Sequence, residues 1–265
     1  MDEEVAALAR VSGCVVRRTG ENSASRAASK THSMIAPHVH ALREGDDAAK
    51  MAAARALSTS AKNKAANRVP IAEAGAIPLL VELLRDGSAE AKLTVARALH
   101  FLAYAAGNRV LIAEAHGIPP LVALLRDGNA DAKLEAAAAL RHLAYNHMNQ
   151  LLIAEAGGIP PLVDLLRDGS NLDAKQWATC ALRHLGRNND ANQVAIAAAL
   201  SLEALVELVR CYRVVFKGNL LFSNAGGPAK RKAALVVAAL LGGCVPDSAR
   251  RRVPRVLQAA IGSYL

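Results

Sequence analysis

Three stretches of this chain carry nearly the same wording. NRVPIAEAGAIPLLVELLRDG opens at Asn67, NRVLIAEAHGIPPLVALLRDG at Asn108 and NQLLIAEAGGIPPLVDLLRDG at Asn149, so the pattern returns every 41 residues. A period of that length is the signature of a stacked array, in which no unit can bury its apolar faces alone and each shares a core with its neighbours. For a chain of 265 residues this replaces the one or two compact domains that length by itself suggests.

Each unit reads as three helices separated by two breaks. In the copy at Asn108 a short apolar segment ends at Gly117, where a residue without a β-carbon can take the left-handed conformation that closes a helix. Pro119 and Pro120 open the next helix, whose first turn has no acceptor for the lost N–H. Leu121, Val122, Leu124 and Leu125 form its buried face and Gly128 stops it. Asn129 or Asp131 then caps a third helix, AKLEAAAALRHLAY. An all-α chain follows, and its 3% aromatic content suits small-residue helix packing better than a sheet sandwich.

The register divides the chain into full units at 67–107, 108–148 and 149–190. A degenerate unit at 25–66 precedes them: HVHALREGDDAAKMAAARAL (38–57) aligns with LVELLRDGSAEAKLTVARAL (80–99), but its expected first helix, SRAASKTHS (25–33), has lost its apolar residues. Residues 1–24 are expected to be a tail or partial cap. A divergent unit, 191–245, starts with NQVAIAAALSLEALVELVR from Asn192 and is interrupted at 211–228, where either a small hairpin or an irregular loop fits. Residues 246–265 read as a C-terminal cap or tail.

The wording N-x-x-x-I-A-E-A-G-x-I-P-P-L-V-x-L-L-R-x-G, its third helix and its period resemble armadillo repeats. The resemblance implies a right-handed α-solenoid of about four to five units of three helices each. It also implies a concave groove, lined by the third helices, that binds extended peptides and carries out no catalysis.

Function in such an array should sit where units differ while packing positions stay fixed. At 100° per residue, Thr94, Arg97, Phe101 and Tyr104 fall within about 80° of one another. The same places hold Glu135, Ala138, His142 and Tyr145 in the next unit, then Trp177, Cys180, His184 and Arg187, with Ala52, Arg55, Thr59 and Lys62 in the degenerate one. A position that accepts Thr, Glu or Trp should be exposed, because burying an unpaired carboxylate is very costly. The expected groove is therefore Arg55, Thr59, Lys62, Arg97, Phe101, Tyr104, Glu135, His142, Tyr145, Trp177, His184 and Arg187. With Arg55, Lys62, Arg97 and Arg187 set against Glu135 alone, it should be locally positive. Tyr104 and Tyr145 have a second reading, as covers for the joints between units, and His142 and His184 a second reading as solvated surface. Arg141 and Arg183 lie about 60° off the stripe, flanking it or simply solvated.

The nuclear-import adaptors of the armadillo family carry a Trp and, four residues on, an Asn on each third helix. Here those pairs read Arg97/Phe101, Ala138/His142 and Cys180/His184, and a positive groove repels basic signals. An acidic or phosphorylated extended segment of a partner protein fits better.

The net charge of +9 raises nucleic acid as a partner, yet its location argues otherwise for the repeats. Residues 67–209 carry 12 Lys and Arg against 15 Asp and Glu, whereas residues 210–265 carry ten against the single Asp247. Nucleic-acid binding through that basic region, with KRK (230–232) and RRR (250–252), is one alternative, and substrate recognition within a ubiquitin ligase is another. The C-terminal part also offers a route to weak self-association. Cys14, Cys180, Cys211 and Cys244 stand far apart and His38/His40 lacks a third ligand, so neither a disulfide framework nor a metal site is expected. No cofactor is expected either. Together with the absence of a signal-like start or membrane-length apolar run, these features predict a reducing cytoplasmic or nuclear setting.

Overall fold

The computed structural model describes residues 30–167, 171–187 and 189–199. Residues 1–29, the divergent unit beyond Ala199, the interruption at 211–228, both basic runs and the segment 246–265 lie outside the described residues. Every regular element among the described residues is helical. They run as α1 (30–44), α2 (Asp47–Asn63), a 3-10 turn (Ala65–Asn67), α3 (Arg68–Glu73), α4 (Ala76–Asp86), α5 (Ala89–Leu102), α6 (Ala106–Glu114), α7 (Ile118–Asp127), α8 (Ala130–Leu143), α9 (His147–Glu155), α10 (Ile159–Arg167), α11 (Leu172–Gly186) and α12 (Asp190–Ala199).

Like packs on like. Third helices α2, α5, α8 and α11 stack in one row, second helices α4, α7 and α10 in another, and first helices α3, α6 and α9 in a third. The arrangement is an α-solenoid with one continuous core. The second helices bury the same i, i+3, i+4, i+7 stripe three times over: Ile77, Leu80, Val81, Leu84; Ile118, Leu121, Val122, Leu125; and Ile159, Leu162, Val163, Leu166. Burying one such side chain contributes roughly 1.5–3 kcal/mol. Third helices meet through small residues, with Ala96, Ala98, Ala136, Ala137, Ala139, Ala178 and Ala181 all fully buried.

Constant polar letters hold neighbouring units in register. The opening Asn of the later units is buried and donates from Nδ2 to two carbonyls: Asn108 to Arg68 and Leu102, Asn149 to Arg109 and Leu143, and Asn192 to Gln150 and Leu185. One carbonyl lies in the preceding unit's first helix and the other at the end of the preceding third helix. The Arg of L-L-R-D-G reaches forward instead: Arg85 donates to the carbonyls of Ala115 and His116, Arg126 to those of Ala156 and Gly157. Third helices start on side-chain caps, with Ser88, Asn129 and Asn171 accepting from backbone N–H groups of the first turn.

Two local expectations need correction. The left-handed residue is His116 (φ 57°), not Gly117, which is helical at φ −75°. Glycine is needed at 117 for space: a β-carbon there would lie 2.9 Å from Ile112 Cγ2 and 3.1 Å from Val81 Cγ2. Residues 30–33, expected to end a separate first helix, instead continue into α1, whose Ile35, Val39 and Leu42 are buried at helical spacing.

Candidate functional site

The third-helix stripe exists, but much of it is not exposed. Thr94, Glu135, Cys180, His142 and His184 are all buried, which corrects the expectation that a position accepting Glu must face water. The flaw lay in treating the carboxylate as unpaired. Glu135 accepts from Arg97 Nε at 2.7 Å and faces His100 Nδ1 at 3.0 Å, across two successive third helices. Burial alone would raise its pKa, but the hydrogen bonds and charges of His100 and Arg97 outweigh it and hold the carboxyl below its ordinary value. Burial also pushes the Cys180 thiol up.

His100 was missed by the sequence analysis because its own unit offers it no role. In the structure it sits at the centre of the site: its ring stacks on Phe101 (4.7 Å between centroids) and His142 (5.5 Å) and meets Trp177 edge-on at 5.8 Å. A second signal did lie in the sequence. His100, Arg141 and Arg183 occupy the same place in successive units, one residue before Phe101, His142 and His184.

Those arginines set the state of the histidines. Arg141 Nη1 lies 3.0 Å from His142 Nε2, and Arg183 Nη2 lies 3.1 Å from His184 Nε2. A guanidinium can only donate, so Nε2 accepts and both imidazoles are neutral with the proton on Nδ1. Burial first, then the arginines around them, push His142 down to about 3 and His184 to about 4. The solvated-surface reading of both histidines is thereby excluded.

What remains exposed or half-exposed is a row of rings and cations beside this buried layer. Tyr104 (40% exposed) leans on His142 of the next unit at 3.9 Å, and Tyr145 (43%) leans on His184 at 4.1 Å. Each tyrosine thus covers a joint and still presents a face to solvent. Phe101 and Trp177 are half-buried against the core. Arg68 lies over Tyr104 (4.7 Å), Arg109 over Tyr145 (5.0 Å), Arg141 over Trp177 (5.0 Å), and Lys62 near Phe101 (5.9 Å).

The charge is distributed differently from the expectation. Arg55, exposed, is paired with Glu90 at 2.8 Å, and Arg97 with Glu135. Neither is available as an uncompensated cation. Thr59 is exposed and donates back to the Arg55 carbonyl, while Arg187 is exposed at the end of α11. Beside the rings, Lys62, Arg68, Arg109 and Arg141 carry positive charge with no carboxylate ion pair among the described residues, as does the expected Arg187 beyond them. Three of these were absent from the expected set. Among the described residues no His, Cys, Asp or Glu cluster could hold a metal, and no helix is long and apolar enough to cross a membrane.

Comparison with known proteins places this architecture. The model of the Armadillo/beta-catenin-like repeat matches residues 106–145 and 146–187. No curated protein matches the chain. Among solved structures, an engineered protein is similar over 86% of this chain and 85% of its own, at 27% identity and a TM-score of 0.62. A designed armadillo repeat protein in complex with peptide (KR)4 is similar over 87% of this chain and 91% of its own, at 24% identity and a TM-score of 0.64. A computationally designed armadillo repeat protein for modular peptide recognition has the same coverage, identity and TM-score. Residues 106–187 are matched by the armadillo repeat's own model, and the three-helix units stacked like on like have the armadillo-repeat solenoid fold.

Proposed function

We propose that the chain is a binding scaffold that holds an extended, acid-containing segment of a partner protein along its row of third helices. The observation that carries this reading is the continuous row of half-exposed rings, Phe101, Tyr104, Tyr145 and Trp177, interleaved with Lys62, Arg68, Arg109 and Arg141. Rings give large contact area at low entropy cost. The solved complex of the designed protein with (KR)4 supports an extended peptide as the kind of ligand. Its basic sign is not carried over, because the cations here have no carboxylate partner and would repel it.

Within this reading the ring row anchors apolar side chains of the ligand, and the cations select for acidic ones. Arg97, neutralised by Glu135, serves the wall of the groove and not the ligand. The test is selection of peptides from an unbiased library on the intact chain, followed by affinity measurement with Trp177→Ala. Acid-rich peptides should emerge, and the variant should bind them about 30-fold more weakly, the counterpart of a hot-spot truncation of ~2 kcal/mol. Selection of basic peptides, or an unchanged affinity, would remove this assignment.

A further inference from the structure

Around Tyr145 the row of cations does something that it does nowhere else among the described residues: two guanidinium groups converge on one ring. The Arg109 guanidinium carbon lies 5.0 Å from the Tyr145 centroid and that of Arg141 lies 5.7 Å from it. They come from different elements, Arg109 from α6 and Arg141 from the last turn of α8. Among the described residues neither has a carboxylate partner.

Both are held in place by the protein. Arg109 donates from Nε to the Ala103 carbonyl at 2.8 Å and from Nη2 to the Tyr104 carbonyl at 3.1 Å. That capping of α5 offsets part of its charge, since a helix C-terminus carries roughly half a negative charge. Arg141 meets nothing negative. It donates to the neutral His142 imidazole and, at 3.3 Å, to the Tyr145 hydroxyl; it also engages the neutral Cys180 thiol, and its buried Nε has no oxygen or nitrogen acceptor. The Arg141 charge is therefore uncompensated, and a second cation lies against the same ring.

Neighbouring units lack the doubling. At Tyr104 the place of Arg109 is taken by Arg68, but that of Arg141 by His100, which is committed to Glu135. In the following unit Gln150 stands where Arg109 does. The doubled site is specific to one unit, whereas a purely architectural pair would recur with the repeat.

We infer that Arg109 and Arg141, set around Tyr145, form a subsite for a doubly charged oxyanion, a phosphorylated side chain of the bound segment. Guanidinium groups recognise phosphate oxygens by paired N–H donors, and two of them match a dianion where a carboxylate needs one. The inference rests on the extended-segment reading for the source of the phosphate, though the subsite is testable without any peptide.

The test uses the intact chain and inorganic phosphate, with acetate and chloride at matched ionic strength as controls. Trp177 is the sole tryptophan and lies 5.0 Å from the Arg141 guanidinium, so its fluorescence reports occupancy. Phosphate should give a saturable change that acetate and chloride do not. Arg109→Gln and Arg141→Gln should each weaken it at least tenfold, and Arg55→Gln should leave it unchanged. Side-chain Nε–H NMR signals of the unaltered protein provide a readout that needs no variant: those of Arg109 and Arg141 should shift first. A phosphate response no larger than that of acetate would overturn the subsite. So would binding that leaves Trp177 and these two arginines undisturbed, which would place phosphate on the basic residues 210–265. Selected peptides that bind equally well with and without phosphate would sink the subsite alone and leave the groove standing.

Discussion

Replacing Glu135 by Gln tests the electrostatic logic of the site most directly. The carboxylate is only 11% exposed and holds two partners, His100, itself buried, and Arg97, whose side chain is 46% exposed. A buried hydrogen bond to a charged group contributes ~1.5 kcal/mol or more. The half-exposed Arg97 pair is discounted for solvent screening to about 0.5 kcal/mol. Glutamine keeps one neutral acceptor, which recovers part of the loss, so Glu135→Gln should destabilise the folded chain by ~1–2 kcal/mol at pH 7. The sign with pH follows from the depressed pKa of Glu135. Its stabilisation is fully present above the unfolded carboxylate value of about 4.3 and is lost as pH falls through the lower folded value. Urea unfolding of both proteins, followed by circular dichroism between pH 7 and pH 3, should show a gap that closes with acid. A gap below about 0.3 kcal/mol at pH 7, or one that stays constant into acid, would refute the pairing argument.

Three further outcomes follow from the packing and the polar pins. Asn149→Ala removes two hydrogen bonds that pin α9 to the preceding unit, and should cost ~2 kcal/mol in urea unfolding and speed amide exchange in α9. Gly158→Ala brings a β-carbon to 2.8 Å from Ile153 Cγ2 and 2.9 Å from the Ile153 carbonyl oxygen, and should cost ~1–3 kcal/mol; Gly107→Ala, with nothing within 4 Å, should be neutral or stabilising in the same assay. The imidazoles of His142 and His184, held at about 3 and about 4 by burial and the surrounding arginines, should stay neutral with the proton on Nδ1 from pH 8 to pH 5. Nitrogen chemical shifts that titrate near 6.5 would show that the Arg–His pairs do not form.

The repeat period, the helix order and the buried stripes were legible in the sequence, because a solenoid repeats its packing chemistry with its letters. The constant Asn and the constant Arg of L-L-R-D-G were visible as constants, but the partners that join them to neighbouring first helices and turns lie 30 to 42 residues away. A helical wheel reports angle within one helix and says nothing of the neighbour's side chains. That is why Glu135 was read as exposed: its burial is allowed only by Arg97 and His100 of the preceding unit. It is also why Arg109 was passed over and Arg141 was read only as flanking the stripe or solvated. They come from different helices, and one of them sits off the stripe.

By itself the sequence determined that the chain stacks three-helix units and where each unit turns, since periodic apolar burial, caps and breakers are local properties. Only the tertiary structure decided which charges along the third helices stay unpaired, because a charge is neutralised or left uncompensated by what the adjacent unit places within a few ångströms of it. Arg55 and Arg97 meet carboxylates there, whereas Arg109 and Arg141 meet carbonyls, a neutral imidazole and a shared tyrosine ring.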